Sequence, residues 1–152
     1  MIYRLILFLI LNFATLALGS FMAGRGPRSE WYAGISKAPW TPPGWVFGAS
    51  WTIIMICFSI YLAYLWPAIE DKKILIGILI MHYLLNLAWN PTFFYYHKVL
   101  AALFIITALT LVIGFIFLNY WSVLDYKSLL IAPYLIWLII ATSLNAYVQL
   151  KN

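Results

Sequence analysis

The chain alternates between long apolar runs and short charged segments. Uncharged windows cover Leu5–Gly24, Ala38–Ile69, Ile74–His97, Val99–Leu124 and Leu129–Leu150. A helix needs about 20 apolar residues to cross roughly 30 Å of hydrocarbon, because each residue rises about 1.5 Å. Every window reaches that length. The pattern therefore predicts five membrane-spanning helices, at about 4–24, 43–66, 74–94, 99–121 and 128–149.

The windows are continuously apolar and lack the two-residue alternation of a membrane β-barrel. Short polar segments follow the second, third and fourth windows, which predicts that successive spans are antiparallel neighbours. Only the connection at about 25–42 is long. We therefore expect an all-α integral membrane protein. It forms one domain over residues 1–152, a compact bundle of five transmembrane helices with a long, ordered first loop.

Composition supports lipid as the solvent. The chain is 66% hydrophobic and 9% charged, whereas soluble domains carry about 25% charged residues. Apart from Arg4 at the start of the first, no charged side chain lies inside a predicted span, which argues against gradient-driven transport. The net charge of +5 is scattered over loops and forms no patch, so we expect no nucleic-acid partner. Cys57 is the only cysteine, which excludes an internal disulfide.

Some features stay open at this stage. Arg4, the apolar run after it and "ALG" at 17–19 also fit a cleaved signal peptide, although the run is longer than usual for one. Four basic residues on one face against five on the other do not decide the orientation. The host membrane is equally undecided, either a bacterial envelope membrane or the outer mitochondrial membrane.

Prolines and a threonine predict where helices begin and end. We expect Thr41 to cap the second span, with Pro42 at its first helical position. Pro133 falls early in the fifth span, where a missing N–H costs little. Pro91 falls late in the third span, where it should end or kink the helix and free a carbonyl near Leu87.

The third span carries a polar face. His82, Asn86 and Asn90 recur every fourth residue, with Trp89 beside them. Polar groups in hydrocarbon need partners, so this face should point into the bundle. Two interpretations remain for the asparagines: interhelical hydrogen bonds or a polar patch on a ligand cavity. For His82 we favour a structural role over that of a metal or haem ligand.

The fifth span carries a flat aromatic ledge. Trp137, Ala141, Leu144 and Asn145 follow Pro133 along one face, so a large ring lies below a small residue. Phe47 and Trp51 form a comparable face at the start of the second span. No nucleophile–base arrangement, carboxylate pair, phosphate loop or metal-ligand cluster accompanies them. The sequence therefore predicts a site for a planar, mostly apolar ligand with anionic edge groups, with no required cofactor and no metal.

These stretches carry a resemblance to a known family. The segments "WYAGISKAPWTPPGWVFGASW" at 31–51, "LNLAWNPTFF" at 85–94 and "PYLIWLIIATSLNAYV" at 133–148 resemble the translocator protein / tryptophan-rich sensory protein (TspO) family. The resemblance implies a membrane homodimer of five-helix chains, each with a cavity closed by the first loop. It also implies binding of porphyrins, of synthetic aromatic ligands and, in animal members, of sterol.

The resemblance also implies site residues. Carried over by motif position, the cavity residues are Tyr32, Pro42, Phe47, Trp51, Asn86, Trp137, Ala141 and Leu144, and the polar face adds Trp89 and Asn90. Light-dependent porphyrin breakdown, credited to some bacterial members, would involve Trp51 and Trp137. The chain departs from the family's commoner "KPxW" with "KAPW". Leu144, Tyr147 and Lys151 fit a loose sterol pattern that many unrelated helices also match.

The first loop fits a lid. Its prolines would hold Trp31, Tyr32 and Trp40 over the open end of the bundle, at a reduced cost in conformational entropy. Arg25, Arg28 and Lys37 would then meet ligand carboxylates such as porphyrin propionates. A simpler interpretation makes these tryptophans an interfacial belt.

The sequence and the resemblance together leave three candidate functions. The first is a membrane receptor or carrier that binds porphyrins and similar lipophiles. The second is a light-dependent porphyrin-degrading enzyme. The third is a membrane scaffold that acts through protein partners.

Overall fold

The computed structural model describes all 152 residues. Its helices are α1 (Ile2–Met22), α2 (Glu30–Gly34), α3 (Gly44–Ala68), α4 (Lys73–Asn90), α5 (Val99–Asn119), α6 (Trp121–Leu124) and α7 (Ala132–Lys151). A π-helical turn at Pro91–Tyr95 extends α4, and 3-10 turns lie at Gly26–Arg28 and Asp125–Ile131. Five helical segments, built around α1, α3, α4, α5 and α7, are long and apolar enough to cross a membrane. The five predicted spans are confirmed, and the chain is a multi-pass integral membrane protein.

The five long helices form a closed ring in the order α1, α4, α5, α7, α3. The expectation that successive spans are neighbours fails for α3 and α4, because α1 packs against both. Asn12 of α1 joins them directly. Its Nδ2 donates to Ser59 Oγ of α3 at 2.8 Å, and its Oδ1 accepts from the Tyr83 hydroxyl of α4 at 2.9 Å.

Large side chains fill the middle of the ring. Phe58 and Tyr61 of α3, Ile113 of α5, and Tyr134 and Leu138 of α7 are almost completely buried. The outer face is different, since residues such as Phe104 of α5 are exposed. Because the surrounding solvent is lipid, these outward apolar side chains are in their preferred environment, and close packing rather than water exclusion holds the helices together.

The proline-based expectations have mixed outcomes. α3 begins at Gly44 with Pro43 as its N-cap, and no side chain caps it. The predicted Thr41 cap and the predicted first helical position of Pro42 are therefore both wrong. The Thr41 hydroxyl instead donates to the Ala38 carbonyl at 2.7 Å, which closes a turn within the lid. Pro91 ends α4 as expected, and a wide π turn follows. Pro133 lies in the first turn of α7, as predicted.

The first loop is ordered by local contacts. Gly24 and Gly26 have φ values of +64° and +51°, which turn the chain away from α1 at little steric cost. Ser29 then caps α2, because its hydroxyl accepts from the Tyr32 amide at 3.2 Å. The loop from residue 25 to residue 42 lies across the end of the bundle where α1, α4 and α7 end and α3 and α5 begin. We call this loop the lid.

Candidate functional site

A small cavity lies between the lid and the helix ends. Its volume is about 40 Å³. Residues that sequence reasoning named as site residues supply part of its wall: Tyr32, Lys37, Phe47, Trp89, Ala141 and Leu144. The remaining wall comes from Thr41, Phe93, Phe94, Asn145 and Val148. Pockets for drug-sized ligands measure roughly 300–1,000 Å³, so this cavity admits only a small group unless the lid moves.

Aromatic rings close the cavity from the lid side. Tyr32 packs edge-on against Phe94 at 5.3 Å between ring centroids. Trp89 is stacked on Phe93 at 5.5 Å. Trp31 contacts Phe93 from the outside at 5.5 Å. The π turn after Pro91 presents Phe93 and Phe94 together, so the proline that ends α4 also supplies the surface on which the lid rests.

Lys37 lies at the edge of this aromatic cluster. Its Nζ is 4.7 Å from the centre of the Tyr32 ring and 3.4 Å from the Ala33 carbonyl at the end of α2. A cation over a ring face and near a helix C-terminus is favourable on both counts. Burial raises the pKa of the Tyr32 phenol, so this ring stays neutral. Lys37 therefore stabilises the lid and leaves one positive charge on the cavity wall.

The lid is anchored to α7 at two further points. Trp40 donates from Nε1 to Ser143 Oγ at 3.1 Å, and its ring packs edge-on against Tyr147 at 5.5 Å. Asn152 bonds both backbone groups of Ser36: its Oδ1 accepts from the amide at 2.8 Å, and its Nδ2 donates to the carbonyl at 3.1 Å. These contacts make the lid a docked element.

Asn145 holds the base of the cavity together. Its Oδ1 accepts from Trp89 Nε1 at 3.1 Å, and its Nδ2 donates to the Val99 carbonyl at 3.0 Å. One buried amide therefore fixes α4, α5 and α7 at the height of the cavity.

A sequence profile described as the TspO/MBR family matches residues 6–150. The chain belongs to the TspO/MBR family.

Individual TspO/MBR relatives align over most of their length. The tryptophan-rich protein TspO of Archaeoglobus fulgidus is 32% identical over 138 residues, which cover 88% of this chain and 87% of the relative. The human translocator protein is 31% identical over 144 residues, covering 90% and 85%. Protein CrtK of Rhodobacter capsulatus is 30% identical over 125 residues, covering 80% and 78%.

Not every expected site residue of this TspO/MBR protein lines the cavity. Pro42, Trp51, Asn86, Asn90 and Trp137 are absent from its wall. Pro42 lies in the extended segment before α3. Asn90 packs against Gly19 of α1, where an added Cβ would lie 3.0 Å from Asn90 Nδ2. In the lid, Arg25 and Arg28 are exposed and are not part of the cavity wall.

Two tryptophans form a layer directly below the cavity. Trp137 packs edge-on against Phe47 at 5.4 Å, and Trp51 packs edge-on against Tyr134 at 5.8 Å. The Trp137 side chain is buried, and its Nε1–H has no hydrogen-bond partner. A buried donor without an acceptor is costly. Trp137 therefore offers a hydrogen bond to any acceptor that reaches it past Phe47.

The polar face of α4 makes interhelical hydrogen bonds. Asn86 Nδ2 donates to the Tyr134 hydroxyl of α7, and His82 Nε2 lies 3.0 Å from the same hydroxyl. Phe58 covers His82 at 5.0 Å between ring centroids. These contacts give His82 and Asn86 a structural role in joining α4 to α7.

The loose sterol pattern has intramolecular partners. Leu144 lines the cavity and Tyr147 packs on Trp40 of the lid. Lys151 is exposed in the last turn of α7. The first two residues of the pattern therefore face the lid.

Sequence reasoning missed several contributors to the site. Phe93 and Phe94 end the segment "LNLAWNPTFF" that carries the resemblance, but no role was assigned to them. Ser36 and Asn152 are far apart in sequence, and nothing in the pattern pairs them. Asn145 was placed on the correct face of α7 by its spacing from Trp137 and Ala141, but not in the cavity.

Proposed function

We propose that this TspO/MBR protein is a membrane receptor or carrier that binds planar lipophilic ligands of the porphyrin class beneath its lid. The observation that carries the proposal is the narrow aromatic cavity with one lysine at its edge. Flat rings form its wall, including Tyr32, Phe47 and Trp89, and Lys37 adds the charge. A planar apolar ligand with carboxylates at its rim matches this arrangement.

Binding requires the lid to move. A tetrapyrrole is far larger than a cavity of about 40 Å³, so we infer that the ligand takes the place of the Tyr32, Phe93 and Phe94 contacts. A ligand in this position extends past Phe47 to the layer of Trp51 and Trp137. An acceptor atom of the ligand then comes within reach of the Trp137 Nε1–H. The names of two relatives, a translocator protein and a tryptophan-rich sensory protein, support a carrier or receptor role in general and name no ligand. The expected homodimer also stays a proposal.

Lys37 provides the test of charge recognition. Lys37→Gln should weaken binding of a dicarboxylate porphyrin by up to about five-fold, the equivalent of about 1 kcal/mol for a partly exposed pair. The same change should leave the dimethyl ester of that porphyrin nearly unaffected. The loss should shrink at high salt, because the Debye length falls to about 3 Å at 1 M. Tryptophan-fluorescence quenching measures both affinities.

The control variant is Lys37→Arg, which keeps the charge and should bind both ligands as the wild type does. Equal losses for porphyrin and ester in Lys37→Gln, without salt dependence, would remove the charge-recognition role. Loss of porphyrin absorbance under illumination in the same samples would indicate degradation rather than carriage. No binding of either ligand to folded wild type would favour a scaffold.

A further inference from the structure

We propose that an open groove on the outer side of the lid binds one anionic phospholipid. The groove has a volume of about 700 Å³ and lies between Trp31 of the lid, the first turn of α5 and the last turn of α7. It is distinct from the cavity beneath the lid, and only Val148 lines both. No step of the proposed porphyrin binding uses it.

The groove changes from polar to apolar along its length. His97, Gln149 and Asn152 supply polar atoms where the helices emerge. Leu100 and Phe104 follow on α5, one turn apart, and both are exposed. Phe104 is 69% exposed and lies deeper in the span. An amphiphile fits this gradient, with its headgroup beside the polar residues and one acyl chain along Leu100 and Phe104.

The charge of the groove selects an anionic headgroup. Lys98 is exposed, and no other Lys, Arg, Asp or Glu side chain lines the groove. Leu100 and Ala101 are in the first turn of α5, where helix amides lack intrahelical acceptors and the helix dipole favours anions. The whole lid end is basic: it has five basic side chains and Glu30 alone as an acid, whereas the opposite end has four basic and three acidic side chains.

A flat ring pair forms one wall of the headgroup region. Trp31 is stacked on His97 at 4.1 Å with the planes 16° apart. His97 holds a φ of +54°, which is uncommon for a residue with a side chain, and so turns its ring towards the lid. Amphipathic rings prefer the headgroup level of a bilayer. A free inorganic anion would leave Leu100 and Phe104 uncovered, and a neutral apolar ligand would not use Lys98.

Native mass spectrometry of the purified protein tests the proposal. The protein in non-ionic detergent is given equal amounts of phosphatidylglycerol and phosphatidylcholine with identical acyl chains. Wild type should retain one phosphatidylglycerol in preference to phosphatidylcholine, by about five-fold, as expected for one basic residue near the surface. Lys98→Gln should abolish the preference, and Lys98→Arg should restore it. Phe104→Ala should lower retention of both lipids and keep the preference.

Lys151→Gln is the matched control, because Lys151 is exposed at the same end of the bundle and does not line the groove. It should leave the preference within two-fold of wild type. Equal losses in Lys98→Gln and Lys151→Gln would indicate diffuse attraction to a basic face and overturn the site, as would equal retention of the two lipids by wild type. If a dicarboxylate porphyrin, and not phosphatidylglycerol, loses affinity in Lys98→Gln, the groove belongs to the porphyrin and the lipid proposal is wrong. Thermal melting without lipid confirms that each variant is folded.

Discussion

The environment of Trp137 is not explained by packing alone. Its indole is buried against Phe47, yet its N–H has no acceptor. A purely structural site would be expected to place a phenylalanine there or to provide an acceptor, because an unpaired buried donor costs about 1–3 kcal/mol. A ligand with an acceptor atom would give this donor its hydrogen bond.

Trp137→Phe separates the two roles. The substitution keeps an aromatic ring against Phe47 and removes the unpaired N–H. The loss of buried ring area lowers the stability, and the removal of the unpaired donor raises it. We therefore expect the thermal midpoint to change by less than about 4 °C. Porphyrin affinity should fall by about five- to ten-fold, the worth of one hydrogen bond of about 1–1.5 kcal/mol. Thermal melting and fluorescence titration give the two values. Unchanged affinity in the folded variant would show that the ligand makes no bond to this indole.

The lid is an element with few buried contacts of its own and several distributed anchors. Its short helix α2 has five residues and buries none of them, so it has little stability apart from its docking. Besides its contacts with Phe93 and Phe94, the lid is held by the Ser36–Asn152 pair, the Trp40–Ser143 bond and the Trp31–His97 stack. Elements of this kind open locally at low free energy, which is what ligand entry requires.

Asn152→Ala should loosen this element. It removes both hydrogen bonds to Ser36. If these hydrogen bonds stabilise the docked lid by roughly 0.5–1.5 kcal/mol, the population with an open lid should rise by about two- to twelve-fold. Hydrogen exchange of a peptide covering residues 29–43 should accelerate, and the ligand association rate should rise with it. Thr107→Val serves as control, since the Thr107 hydroxyl bonds only the Leu103 carbonyl of its own helix, away from the lid. If exchange rises without a faster association rate, ligand does not enter through the lid.

At the scale of the whole molecule, the arrangement of helices depends on a few buried polar groups. Asn12 is fully buried and connects α1 to both α3 and α4. Interhelical hydrogen bonds in membranes are worth about 0.6 kcal/mol on average and up to about 1.7. Asn12 makes two of them, so its contribution to the ring order should be measurable.

Asn12→Leu should therefore lower the thermal midpoint by about 2–6 °C, because it leaves the Tyr83 hydroxyl without its acceptor. Thr15→Val is the matched control on the same helix, since the Thr15 hydroxyl bonds only the Leu11 carbonyl within α1. It should melt with the wild type. An unchanged midpoint for Asn12→Leu would mean that apolar packing alone positions α1.

The sequence predicts features whose cause is local and misses those that depend on partners distant in the chain. Five spans follow from the length of continuous uncharged sequence, and the end of α4 follows from Pro91, whose effect on the helix lies within one turn. The Thr41 cap fails because its hydroxyl bonds Ala38, a competing partner that spacing does not reveal. The position of α1 between α3 and α4 depends on Asn12 meeting Ser59 and Tyr83. The narrow cavity depends on Phe93 and Phe94, which composition does not distinguish from other apolar residues.

The most direct measurement of the central claim, that the ligand binds beneath the lid, is the porphyrin affinity of Ala141→Phe. Ala141 lies on the wall of the cavity between Trp137 and Leu144 on α7 and is 8% exposed. A phenylalanine there fills the cavity of about 40 Å³ and blocks the larger space that forms when the lid moves. The account predicts at least a ten-fold loss of affinity, with a thermal midpoint close to that of the Ala141→Ser control. Wild-type affinity in a folded Ala141→Phe protein would contradict it and place the ligand elsewhere on the molecule.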